Sequence, residues 1–246
     1  MIQEQYCIMQ VVNTDNRLFL ILRSLRANQW IKNLVVFTAV IFSGELFNQP
    51  VLLQTMEAFF LFCLLSSTSY VFNDIVDYPN DKKHPIKRFM PIASGRISIQ
   101  EATFTVFILV IVSLVLALLF SVQFFFISLL FLVLHIVYSL YLKKHPIIDI
   151  FTISLSFMIR AFAGVVATGL AIPIWLMFTI FFGSLFVATV KRDAELTAYG
   201  REARASLMSY HEHLLGFLTT TFATSTILAY SFYTYFERIS NEKTEF

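Results

Sequence analysis

Long apolar runs separated by short polar connections dominate the chain. The runs cover residues 33–47, 51–72, 99–120, 122–142, 147–168, 171–190 and 207–236. Most of them approach or exceed the roughly 20 residues that an α-helix needs to cross a bilayer. Helices are favoured over barrel strands, because a helix satisfies its own backbone in lipid and the runs lack a two-residue alternation. The pattern predicts an all-α, polytopic transmembrane helical bundle with about seven spans, forming one integral membrane domain over 1–246.

The composition supports a membrane protein and excludes a nucleic-acid-binding one. Hydrophobic residues make up 57% of the chain and charged residues 14%. Soluble domains are about half apolar and a quarter charged, so both values point to lipid as the solvent. The net charge of +2 is too small to indicate a nucleic-acid partner.

Basic residues concentrate in every second connection between the apolar runs. They precede the first run and fill 82–96, 143–144 and 191–204. Lys and Arg are absent from the alternate connections 44–50, 121–123 and 169–173. The positive-inside rule therefore predicts a cytoplasmic N-terminal segment, 1–32. The same rule places all three charged connections on the cytoplasmic side: 143–144 and those within the loops 73–98 and 191–206.

Three aspartates follow the second apolar run in the stretch NDIVDYPND, residues 73–81. Asp74, Asp77 and Asp81 would share one face if a helix continued through them. Pro79 lacks an N–H and clashes with the preceding turn, so we expect the helix to end before it. In that arrangement Asp81 returns toward the other two aspartates from the loop.

Carboxylates at the C-terminal end of a helix face the negative end of its dipole, so they need a positive partner. Two interpretations follow. In the first, the basic residues after the aspartates neutralise them in a solvated loop. In the second, the aspartates bind Mg²⁺, which prefers carboxylate oxygens and bridges them to substrate phosphates. Asn73 would add an amide oxygen, and the basic residues would contact phosphate oxygens; these are Lys82, Lys87 and Arg88.

A second charged cluster, KRDAEL, follows the sixth run and contains Lys191, Arg192 and Glu195. Its basic residues are expected from topology alone, and its acidic residues could be simple counter-charges. Asp149 and Arg160 lie deeper, within the fifth run and about three turns apart. An ionisable residue inside a span faces the bundle interior or a water-filled cavity. Arg160 therefore serves either a buried network or a ligand phosphate.

Several stretches of the sequence resemble the motifs of a known family. FNDIVDYPND resembles the N-D-x-x-D-x-x-x-D signature of the UbiA superfamily of intramembrane prenyltransferases. SLRANQWIKNLVVF, DIFTISLSFMIRAFAGVVATG and KRDAEL resemble its decaprenyl-phosphate phosphoribosyltransferase branch. Members usually have nine spans, whereas this chain shows about seven. The aromatic prenyltransferases of the superfamily carry a second D-x-x-x-D motif, which is missing here because Thr197 stands four residues after Asp193.

The resemblance implies Mg²⁺-dependent transfer of phosphoribose from phosphoribosyl diphosphate to a polyprenyl phosphate, with diphosphate release, at the inner membrane of a bacterial-type cell. It implies catalytic roles for Asp74, Asp77 and Lys191, and metal ligation by Asp74, Asp77 and Asp81. Substrate contacts would come from Lys32, Asn73, Lys82, Lys87, Arg88, Arg160, Arg192 and Glu195. The alternatives are transfer of a prenyl group to a small aromatic acceptor, and a non-enzymatic transporter.

Overall fold

The computed structural model describes residues 17–84, 86–200 and 212–244. Its α-helices are α1 (Arg17–Ser24), α2 (Thr38–Phe42), α3 (Gln49–Asp81), α4 (Ile99–Phe120), α5 (Val122–Leu140), α6 (Ile148–Thr168), α7 (Ile174–Tyr199) and α8 (Glu212–Thr244). Short 3₁₀ helices cover Ala27–Phe37, Glu45–Phe47, Lys87–Phe89 and Leu142–Lys144. Within the described residues, six helices, α3 to α8, are long and apolar enough to cross a membrane. The protein is therefore an integral membrane protein.

Six of the seven predicted spans coincide with α3 to α8. The predicted loop 191–206 is helical up to Tyr199, where α7 ends. Its residues 201–206 and the start of the last predicted span, 207–211, lie outside the described residues. The first predicted span, 33–47, is helical but is not one continuous α-helix. It combines the end of the 3₁₀ helix Ala27–Phe37 with α2 and Glu45–Phe47. Gly44, with a φ of 78°, stops the α-helical path after α2, because few other residues adopt that conformation cheaply.

Helix α3 does not end before Pro79, so the expectation that Asp81 lies in a loop is wrong. The helix runs through Pro79 to Asp81, and the Lys82 amide still donates to the Tyr78 carbonyl at 3.2 Å. Pro79 cannot donate to the Ile75 carbonyl one turn earlier, yet the helix continues for two more residues beyond it. The three aspartates therefore follow one another along a single helical face.

Local sequence signals fix the ends of the helices. Ser98 and Glu101 form a capping box at the start of α4, each side chain bonding the other's backbone N–H. Ser121 alone separates α4 from α5, and its Oγ accepts the Phe124 amide at 3.0 Å. Gly169, with a φ of 73°, ends α6 in the left-handed conformation typical of helix C-termini.

The described chain forms two compact units. One contains residues up to 33 together with 60–139; the other contains 34–59 and residues from 140 onward. In the first unit, a buried apolar cluster joins α1, α3, α4 and the 86–97 segment; its members are Leu20, Val71, Ile92, Ile97 and Ala102. This cluster lies one turn before Asp74 on α3 and fixes α1 there. In the second unit, α7 packs along α8 and against α6.

Candidate active site

The first unit carries the acidic face of α3, formed by Asp74, Asp77 and Asp81. Asp74 and Asp81 are buried, with exposed fractions of 6% and 5%. Buried carboxylates are stable only when paired or hydrogen-bonded. Each of the three aspartates has such a partner. Asp77 accepts a hydrogen bond from Asn73 Nδ2 at 2.9 Å. Asp81 Oδ1 lies 3.3 Å from Lys87 Nζ.

Arg26 is the partner of Asp74. Its Nη2 donates to Asp74 Oδ1 at 2.5 Å. The guanidinium also lies 5.6 Å from the centroid of the Tyr70 ring and 3.4 Å from Met90 Sδ. The backbone of Arg26 has a φ of 53°, a left-handed conformation that costs a side-chain-bearing residue roughly 1–3 kcal/mol. Surrounding contacts must therefore hold this turn in place.

Hydrogen bonds to α3 hold the turn that carries Arg26. Ser67 Oγ on α3 donates to the Leu25 carbonyl at 2.9 Å and accepts from Trp30 Nε1 at 3.0 Å. Two turns of helix separate Ser67 from Asp74, so both side chains project from one side of α3. Asn33 extends the attachment, because its amide oxygen accepts from Ser66 Oγ at 3.0 Å. The first two residues of the polar run SSTS thus serve this attachment, whereas Thr68 and Ser69 donate to carbonyls of their own helix.

The remaining predicted basic ligands of this unit each lie near an aromatic ring. The Lys82 ammonium lies 4.3 Å from the centroid of the Tyr78 ring, and the Arg88 guanidinium lies 4.8 Å from that of Phe89. Lys32 lies 6.0 Å from the Tyr70 ring that Arg26 also contacts. The structure thus brings Lys32 near the turn that contacts Asp74.

The carboxylates of the acidic face are chemically suited to bind Mg²⁺. Carboxylate oxygens are the ligands Mg²⁺ prefers, and one or two of them suffice when phosphates and waters complete the octahedron. Within 17–84, 86–200 and 212–244, no group of three or more His, Cys, Asp or Glu side chains is close enough together to hold a metal by itself. Asp74, Asp77 and Asp81 therefore do not converge on a three-carboxylate metal site by themselves.

The second unit carries a buried ion network formed by Asp149, Arg192 and Glu195. Arg192 is 1% exposed; its Nε donates to Asp149 Oδ2 and its Nη1 to Glu195 Oε2, both at 2.7 Å. Lys191 is exposed, and its Nζ lies 3.9 Å from Glu195 Oε1. Sequence reasoning assigns Arg192 to a substrate phosphate, whereas the structure directs its guanidinium to two protein carboxylates. Arg192 thereby orients Glu195 beside Lys191.

Arg160 is buried within α6, as its sequence position predicts. Its Nη1 donates to the carbonyl and the hydroxyl of Ser156, at 3.0 and 2.9 Å. The guanidinium also lies 5.2 Å from the centroid of the Phe157 ring. These contacts stabilise the side chain along its own helix and keep the charge away from lipid.

Sequence reasoning missed two features of these sites. It treated Arg26 as a topology signal, and no sequence pattern predicts a left-handed arginine. It singled out Asp149 as an ionisable residue within a span but did not pair it with Arg192. A signal for that pair exists, because positive-inside topology puts the start of the fifth run and the end of the sixth on one membrane side, and a charge inside a span needs a partner.

Relatives of the chain are known from sequence comparison. It is 36% identical over 217 residues to the decaprenyl-phosphate phosphoribosyltransferase of Corynebacterium glutamicum, an alignment covering 85% of this chain and 65% of that protein. It is 34% identical over 229 residues to the protein of the same name from Mycolicibacterium smegmatis, covering 90% and 72%. The chain thus spans less than two thirds of the first relative's length and somewhat more of the second's.

Comparison of folds and of family patterns agrees with these relatives. The structure of a UbiA homolog from Archaeoglobus fulgidus bound to DMAPP and Mg²⁺ superposes with a TM-score of 0.68 and 22% identity, covering 86% of this chain and 76% of that one. At this identity the likeness shows a common fold. The pattern of the UbiA prenyltransferase family matches residues 34–203. The chain belongs to the UbiA prenyltransferase family.

Proposed function

We propose that this protein transfers 5-phosphoribose from phosphoribosyl diphosphate to a polyprenyl phosphate, with Mg²⁺, as a step in the synthesis of cell-envelope glycolipid precursors. The observation that carries the proposal is the 34–36% identity, over 85–90% of the chain, to two decaprenyl-phosphate phosphoribosyltransferases. The replacement of a second aspartate motif by the Lys191–Glu195 pair adds support, because a prenyl diphosphate site of the aromatic branch would need that motif.

The acidic face of α3 is the proposed metal and diphosphate site. Asp74 and Asp77 hold the ion, and Asp81 assists from the next turn of the same face. Bound Mg²⁺ supplies positive charge that stabilises the departing diphosphate. Basic and amide side chains around this end of α3 contact the phosphate oxygens; these are Asn73, Lys82, Lys87 and Arg88.

The reaction exchanges one bond to the ribose for another. The bond between C1 and the diphosphate oxygen breaks, its electron pair leaves with diphosphate, and an oxygen of the polyprenyl phosphate bonds to C1. That oxygen is already ionised, so no general base is needed. Fixed charges therefore provide the catalysis. Lys32, Arg160 and Lys191 supply positive charge for the phosphate groups, while Glu195, oriented by Arg192, holds a ribose hydroxyl or Lys191.

The orientation in the membrane follows from the charge distribution. With the N-terminal segment and the basic connections in the cytoplasm, the acidic end of α3 lies on the side where soluble phosphorylated sugars are available. We place the protein in the inner membrane of a bacterial-type cell. The polyprenyl tail occupies lipid-accessible surfaces, which the exposed apolar side chains of α4 and α8 provide in abundance.

Donor discrimination tests the proposal. Membranes containing the protein are incubated with Mg²⁺, labelled phosphoribosyl diphosphate and polyprenyl phosphates of several lengths. We expect a labelled lipid that requires both the acceptor and the metal. A parallel incubation offers a labelled prenyl diphosphate with small aromatic acceptors. Prenyl transfer in the second incubation without sugar transfer in the first would contradict the proposal, as would uptake of unreacted label into sealed vesicles.

A further inference from the structure

We infer that Arg26 competes with the metal for the carboxylate of Asp74 and exchanges that carboxylate for a phosphate oxygen of the incoming diphosphate. Metal and diphosphate would then bind tightly only together. This inference rests on the proposed function, because it concerns the same metal and diphosphate site. It adds a positioning residue, Arg26, and a contribution of that residue to the coupling between metal binding and diphosphate binding.

The position of the Arg26 guanidinium makes it compete with a metal ion for the Asp74 carboxylate. Arg26 Nη2 donates a charge-assisted hydrogen bond to Asp74 Oδ1. A metal ion on this carboxylate would place a second cation beside the guanidinium, in surroundings where Asp74 is almost fully buried. Like charges repel strongly where water is excluded. Metal alone must therefore displace Arg26 or bind weakly.

The surroundings of Arg26 allow such an exchange. Its side chain is 28% exposed, against 7% for that of Asp74, so the guanidinium is the more accessible partner of the pair. Its other neighbours, the Tyr70 ring and Met90 Sδ, are uncharged. The guanidinium fork binds phosphate oxygens as readily as carboxylate oxygens. A diphosphate arriving with its metal offers Arg26 a new anionic partner while the metal takes Asp74.

The backbone conformation of this turn favours glycine, so the arginine is present for its side chain. At a φ of 53°, glycine would be accommodated without the steric cost that arginine meets. The hydrogen bonds of Ser67 hold the turn through the Leu25 carbonyl and the Trp30 side chain, and neither involves the Arg26 side chain. An Arg26→Gly variant therefore removes the guanidinium while relieving the backbone, which makes it a clean test.

The test measures metal binding rather than turnover. Purified protein in detergent is equilibrated by dialysis against Mn²⁺, a paramagnetic substitute for Mg²⁺, with and without inorganic diphosphate. Protein-bound Mn²⁺ is then measured by electron paramagnetic resonance as the excess over the protein-free side, because diphosphate itself binds Mn²⁺ in solution. In the wild type we expect diphosphate to tighten Mn²⁺ binding at least about tenfold, within the usual range of site–site coupling. In Arg26→Gly we expect tighter Mn²⁺ binding without diphosphate and a clearly smaller further tightening when diphosphate is added, because only the direct contacts of diphosphate with the metal and with the other basic side chains remain. Arg26→Lys, which retains the charge, should recover part of the coupling.

Two further variants separate the possible outcomes. Arg17→Gln removes an exposed arginine paired with Glu101 and should leave the coupling at the wild-type value. Asp74→Asn should abolish the Mn²⁺ site. If Asp74→Asn loses Mn²⁺ but Arg26→Gly couples metal and diphosphate like the wild type, the inference about Arg26 is wrong and the metal site stands. If Asp74→Asn binds Mn²⁺ like the wild type, both the inference and the metal assignment fail.

Discussion

Asp74 and Asp77 are adjacent members of the acidic face of α3, and each is engaged by a polar partner of its own. We predict that Asp74→Asn or Asp77→Asn reduces phosphoribosyl transfer by about a hundredfold or more, because loss of the metal removes several kcal/mol of transition-state stabilisation. The measurement is the initial rate in membranes, normalised to the amount of folded protein. Since asparagine keeps the size of aspartate, both variants should still insert into the membrane.

Glu57→Gln provides the matched control for these two variants. Glu57 is an exposed carboxylate on the same helix, many turns before the acidic face. Its neutralisation should leave the rate within about twofold of the wild type, as for surface substitutions away from a functional site. Wild-type turnover by either aspartate variant with Mg²⁺ present would refute the metal assignment.

The Asp149–Arg192 pair leads to a prediction about stability. Removing one partner of a buried ion pair leaves an uncompensated charge and costs about 3–5 kcal/mol. We therefore expect Asp149→Asn to lower the thermal unfolding midpoint in detergent markedly. Arg17→Gln breaks an exposed pair with Glu101, worth no more than about 1 kcal/mol, and should barely change the midpoint. Equal midpoints for the two variants would show that the buried network does not stabilise the fold.

At the scale of the element, hydropathy predicts where most helices run but not how they end. The spans at 99–120 and 122–142 agree with α4 and α5 to within two residues, because apolar length and a single break at Ser121 determine both. The end of α3 was not predictable from Pro79 alone, since the helix runs two residues past this proline despite the hydrogen bond that it lacks. The 3₁₀ path of Ala27–Phe37 was also unpredicted, because side-chain bonds to α3 and packing on α6 support it.

Gly164 on α6 is required by close packing in the second unit. A Cβ atom built there would overlap the carbonyl oxygen of Val36. We predict that Gly164→Ala forces a backbone shift, destabilises the protein by about 1–3 kcal/mol and lowers the unfolding midpoint.

Gly183→Ala on α7 is the control for Gly164→Ala. The nearest atom to its Cβ is Thr226 Cγ2 at 3.6 Å, an ordinary contact. Because alanine favours a helix over glycine, this variant should unfold at the same or a higher temperature. A drop equal to that of Gly164→Ala would mean that any alanine in these helices destabilises, and close packing would not be the cause.

At the scale of the whole molecule, the sequence indicates a membrane protein and predicts the acidic face of α3 as its metal site. The spacing of the aspartates after the second apolar run predicts Asp74 and Asp77 as metal ligands. Their partners are harder to predict, because Arg26 pairs with a residue 48 positions away and Arg192 with one 43 positions away. Such pairs depend on how helices pack, which hydropathy does not encode.

A double-label experiment tests the proposed transfer most directly. Phosphoribosyl diphosphate carries one label at C1 of the ribose and another on the β-phosphorus, and membranes receive it with Mg²⁺ and polyprenyl phosphate. We predict that the ribose label enters the lipid phase while the phosphorus label appears in water as free diphosphate, in equal amounts. The wild type should show this transfer and Asp74→Asn should not. Both labels in the lipid, or neither label moving from the donor, would contradict transfer at C1.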